Sequence, residues 1–65
     1  MISYSVVIRL CLSCGGHKDV DVILHSDYPL VDAFIKRAAW KVALENNPEL
    51  ASKNTRAILI SVEEM

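Results

Sequence analysis

Only one stretch of this chain is long enough to be a helix of several turns, and everything else has to be arranged around it. Asp27 to Asn47 reads DYPLVDAFIKRAAWKVALENN. Asp27 is the expected N-cap, and Pro29 falls near the first helical position, where its missing N–H is harmless. Asp32 places a carboxylate at the positive end of the helix dipole. Asn46 and Asn47 precede Pro48, which disfavours helical backbone in the residue before it and ends the segment. On a 3.6-residue period Val31, Phe34, Ile35, Ala38 and Val42 form the expected core stripe. Lys36, Arg37, Lys41 and Glu45 border it. Ala33, Trp40 and Leu44 fall on a second side, which leaves two uses for Trp40. It folds over the edge of a sheet, or it joins Leu44 in meeting a partner, as tryptophan often does at interfaces.

The flanking segments alternate with period two, the pattern of half-buried strands. In Ile2 to Leu12 the even positions Ile2, Tyr4, Val6, Ile8, Leu10 and Leu12 form one face, opposite Ser3, Ser5, Val7, Arg9 and Cys11. Cys14-Gly15-Gly16-His17 is a turn, because adjacent glycines supply the positive φ of tight hairpins. Val20, Val22 and Leu24 then alternate with Asp19, Asp21, Ile23 and His25. Core-facing residues are even-numbered in both strands, so paired numbers must add to an even total. A loop from Ser26 to Tyr28 leads into the helix. After it, residues 47–50 are read either as one helical turn capped by Asn47 or as part of a polar loop from Asn46 to Asn54. Thr55 to Val62 is the third strand, with Ile58, Ile60 and Val62 towards the core and Ala57, Leu59 and Ser61 away from it.

The expected fold is therefore a single α+β domain over residues 1–65, with strand, strand, helix and strand in that order. Its sheet is expected to be three-stranded and mixed, in the order 2-1-3, with strand one between the other two and antiparallel to both, and the helix on one face. The helix makes a crossover between strands two and three, so these should run parallel through a right-handed connection. The other face is left open. It should carry Val7, Ile23 and Leu59 as a small apolar centre, rimmed by Arg9, Cys11, Asp21 and His25.

Composition turns that open face into a functional question. A 65-residue chain buries only about 60% of its unfolded surface, yet 52% of this one is hydrophobic. The excess calls for cover, and self-association is the simplest source. Net charge is −1, from seven basic and eight acidic residues without a basic run, so nucleic-acid binding has no electrostatic basis. Stacking aromatics are also missing from the open face, since Tyr4 and Phe34 are assigned to the core side. The N-terminal stretch is apolar but is interrupted by Arg9 and lacks a positive leader, so neither a signal peptide nor a membrane span is expected. Two cysteines without a framework of pairs suggest reduced thiols and a cytoplasmic protein.

One motif carries candidate chemistry. Cys11-Leu12-Ser13-Cys14-Gly15-Gly16-His17 has metal-ligand spacing and resembles one zinc knuckle. Cys11, Cys14 and His17 are its candidate ligands, and Asp19 is a further oxygen donor. A second knuckle is missing, and His25 belongs at the far end of its strand. A redox role fits less well, because neither thiol sits at a helix N-terminus that would favour the thiolate. For catalysis, Cys14 or Ser13 beside His17 and Asp19 would need a concave site that one helix on a thin sheet does not offer. Asp19 and Asp21, the other pair of carboxylates, read as solubilising charge on an edge strand. The acidic Asp27 also argues against a phosphate site at the helix start.

The function expected is that of a non-catalytic protein-binding module without a cofactor, acting as a homodimer or on another protein. Small apolar domains of this kind are common among phage and mobile-element inhibitors of host proteins. The contact residues expected are Trp40, Leu44, Val7, Ile23 and Leu59. The alternative is a small zinc-stabilised domain built on the Cys11/Cys14/His17 hairpin.

Overall fold

The computed structural model describes all 65 residues. Its elements are β1 (Ile2–Leu12), β2 (His17–Ser26), α1 (Asp32–Asn46), α2 (Pro48–Ala51) and β3 (Asn54–Glu64). The sheet order is β2-β1-β3. Both neighbouring pairs are antiparallel, as expected for the central strand, so the sheet is wholly antiparallel and not mixed. β2 and β3 do run in the same direction, but β1 lies between them, so no parallel ladder forms. No helix is long and apolar enough to cross a membrane.

The β1–β2 hairpin follows its alternation without interruption. Ile2 opposes Ser26 and the pairing runs unbroken to Cys11 opposite His17, every pair adding to the same even total. The connection closes with the Leu12 N–H donating to the Gly16 carbonyl at 2.9 Å and the Gly15 N–H donating to the Leu12 carbonyl at 3.0 Å. Only Gly15, at φ +93°, occupies the left-handed region where a side chain is strained.

The helix starts four residues later than its sequence punctuation suggests. Val31, extended at ψ 158°, is the residue at the N-cap, and no side chain caps the helix. Asp27 lies instead in a turn shaped by Ser26, whose hydroxyl donates to the Tyr28 carbonyl at 2.6 Å. Pro29 keeps Tyr28 out of helical backbone. The Leu30 N–H is then claimed by the Tyr4 hydroxyl at 3.1 Å. This contact across the fold ties residues 27–31 to the sheet.

The buried stripe of α1 is also displaced, to Ile35, Ala39 and Ala43. Two alanines one helical turn apart let the backbone approach the sheet closely. Ala38 and Val42, expected at the centre, become half-buried flanks, while Val31 and Phe34 leave the core altogether, with Phe34 60% exposed. Opposite the stripe, Val6, Ile8 and Leu10 of β1 and Val22 and Leu24 of β2 are buried. At ~1.5 Å per residue α1 spans about 22 Å, shorter than the 37 Å long axis of the molecule. The ends of the sheet are closed separately. Tyr4 and Leu30 meet at one end. At the hairpin end the Ser13 N–H donates to the Lys53 carbonyl at 2.8 Å, and buried Leu50 brings α2 into the core.

β3 breaks the simple alternation twice. Ile8 opposes Leu59 while Val7 opposes Ser61, so Ile60 is an extra residue; Cys11 opposes Arg56 while Leu12 opposes Asn54, so Thr55 is another. Such bulges reverse which residue numbers face which side. Ala57 and Leu59 therefore share the face of Leu10 and Ile8, and Ile58 shares that of Arg9. Beyond the bulge, Val62 returns to the core side opposite Val6. The expected assignments of Leu59 to the open face and of Ile58 to the core are thus exchanged.

Candidate functional site: the open sheet face and its β3 edge

The face away from α1 is set by the odd-numbered residues of β1 and their partners. Along its length lie the rows His17–Cys11–Arg56, Asp19–Arg9–Ile58, Asp21–Val7–Ser61 and Ile23–Ser5–Glu63. Val7 stands at the middle of this array. Ile23 and Ile58 are its diagonal neighbours on either side, at a spacing side chains can bridge. Together they form an apolar diagonal across all three strands. Ile23 is 49% exposed and Ile58 39% exposed, whereas Val7 is half-buried between them. Ile60, the bulged residue of the adjoining edge, is 44% exposed.

On this face Arg9 and Asp19 are paired within the chain, whereas Asp21, Arg56 and Glu63 are exposed without an ion-pair partner. Arg9 grips Asp19 with two hydrogen bonds, Nε to Oδ1 at 2.8 Å and an Nη to Oδ2 at 3.2 Å. The fork holds the Asp19 carboxyl below the ordinary aspartate range, first through these hydrogen bonds and also through the guanidinium charge. The same contact raises the Arg9 pKa. At the other end of the face the Ser3 hydroxyl and His25 Nδ1 are 2.9 Å apart.

The remaining residues singled out from sequence fall elsewhere. Trp40 and Leu44 are half-buried and pack against the core. The Trp40 Nε1–H donates to Asn54 Oδ1 at 2.8 Å, which lays the indole over the start of edge strand β3. The Asn54 amide in turn donates to the Cys11 and Arg56 carbonyls at 3.1 and 2.9 Å. Asn54 thus fastens helix, β1 and the first bulge together. Leu59 is half-buried on the core side.

Cys11 is on the open face opposite His17, whereas Cys14 is an exposed thiol in the turn beside Gly16. No three His, Cys, Asp or Glu side chains converge on a point where a metal ion would sit. No pocket indents the surface.

Two groups escaped the sequence reading. Ile58 and Ile60 were assigned to the core, and only knowledge of the bulge would reverse that. Tyr28, Val31 and Phe34 are exposed around the start of α1. The signal for these was Ile35-x-x-x-Ala39-x-x-x-Ala43, a stripe of close approach that competes with the larger residues beside it. Comparison with protein families, curated proteins and solved structures finds no match to this chain.

Proposed function

We propose that this chain is a non-catalytic protein-binding module that works through contact between surfaces and associates with a second copy of itself. The observation carrying this reading is the Ile23–Val7–Ile58 diagonal, an aliphatic strip on a face that no element of the chain covers. Exposed aliphatic side chains next to one another, with polar residues around them, are the usual make-up of a contact surface. The charged groups at its border support the same use. Arg9 and Asp19 satisfy each other, so these two charges need no counter-charge from a partner when the face is covered.

Native mass spectrometry of the purified protein over a concentration series, with and without chelator, tests this reading. The expected result is a metal-free dimer whose share grows with concentration. A monomer at every concentration would remove self-association. A mass raised by one zinc and restored by chelator would transfer the role to the Cys11, Cys14 and His17 hairpin.

A further inference from the structure

We infer that the second copy docks through β3, the two β3 strands pairing antiparallel to make one six-stranded sheet. This rests on the self-association proposed above and assigns it a place.

The sheet has two free edges, and they differ in chemistry. β2 carries Lys18, Asp19, Asp21 and His25 along its length, all exposed. Charge of that kind is how natural proteins discourage edge-to-edge pairing. β3 has no charge from Ala57 to Val62, a run of Ala-Ile-Leu-Ile-Ser-Val free of proline and glycine. Uncharged β-branched runs of this length readily template another strand. Ile58 and Ile60 are exposed within it.

The ends of β3 select both the partner and its direction. Lys53 and Arg56 lie at its start, Glu63 and Glu64 at its end, and all four are exposed. An antiparallel copy lays the basic start of one strand beside the acidic end of the other, twice over by symmetry. A parallel copy would place like charges together.

The bulge at Ile60 makes this complementarity work on one face. Arg56 and Glu63 are seven residues apart, an odd separation that would put them on opposite sides of a regular strand. Here Arg56 opposes Cys11 and Glu63 opposes Ser5, so both lie on the open face. Pairing Arg56 with the second copy's Glu63 also sets Ala57 opposite Val62 on the core side and Ile58 opposite Ser61 on the open side. The apolar diagonal then continues up to the shared edge.

The test is a charge exchange read by sedimentation velocity over a concentration series, with thermal melts to confirm folding. Arg56→Glu and Glu63→Arg should each weaken the dimer by about tenfold or more, since each creates two like-charge pairs. The double variant Arg56→Glu/Glu63→Arg should restore it. Ile60→Lys, at an exposed position, should abolish the dimer while the monomer melts as before. A wild-type dimer indifferent to both the charge reversals and Ile60→Lys would overturn the β3 assignment and leave self-association standing. A wild-type monomer throughout would overturn both.

Discussion

The two edge strands, β2 and β3, are nearly equal in length and hydrogen-bond to the same central strand, yet they are different structures. β2 keeps one register along its whole length and holds charge on its outward positions. β3 shifts register twice and is uncharged through its middle. The regular strand is the one protected against further pairing, and the irregular one presents aliphatic side chains. Bulges are themselves a means of discouraging pairing by twisting an edge. In β3 they also re-aim side chains, taking Leu59 into the core and leaving Ile58 and Ile60 exposed. The same strand therefore completes a small core and leaves two isoleucines exposed.

Ile8 is the residue on which both edges depend, since it opposes Val20 of β2 and Leu59 of β3 and is fully buried. Ile8→Ala should cost about 2–5 kcal/mol. Domains of this size seldom hold more than about 3–5 kcal/mol, so the variant should be largely unfolded by circular dichroism at room temperature. A cooperative melt close to wild type would mean that the two edges do not share one core.

Asn54→Ala should separate the edges, because its three hydrogen bonds all serve the β3 side. Loss of about 1–3 kcal/mol is expected from the unsatisfied Trp40 N–H and the freed carbonyls. In denaturant melts monitored by tryptophan fluorescence, the change should be accompanied by a more solvent-exposed indole. In the β1–β2 hairpin only the Cys11 carbonyl is one of these partners, so amide protection in the rest of the hairpin should fall only with global stability.

The smallest effect belongs to β2. The Asp19 carboxyl titrates below its unfolded range because of Arg9. Its contribution to stability is therefore present above the ordinary aspartate pKa of about 3.9 and is lost as pH falls through the lower, folded value. Asp19→Asn should remove that part of the acid sensitivity and change little at neutral pH, because the pair is solvent-exposed. Melts from neutral to strongly acidic pH check this. An Asp19→Asn protein as acid-sensitive as wild type would assign the loss to other carboxylates.

How much of this was legible in the sequence follows the same division. The faces of the β1–β2 hairpin could be read residue by residue, because strict alternation fixes the face and the parity of the register, although His17 was read as turn and belongs to β2. The strand order 2-1-3 followed from the length and apolar character of β1. The alternation of β3 looked equally regular, but Thr55 and Ile60 are inserted residues, and nothing local in the sequence distinguishes a bulge from a continuing strand. Leu59 and Ile58 exchanged faces for that reason, while Val7 and Ile23, on the regular strands, were placed correctly. The start of α1 was misplaced because its local cues, Asp27 and Pro29, were overridden by the hydrogen bond from Leu30 to Tyr4, 26 residues away. Trp40 admitted two readings, and its hydrogen bond to Asn54 could not be foreseen because the two are 14 residues apart.

The most direct test of the β3 account is hydrogen–deuterium exchange followed residue by residue at low and high protein concentration. Amides of residues 57–62 should become more protected as concentration rises, while those of β2 residues 19–25 stay unchanged. Equal behaviour of the two edges at every concentration, or concentration-dependent protection on β2 alone, would contradict it.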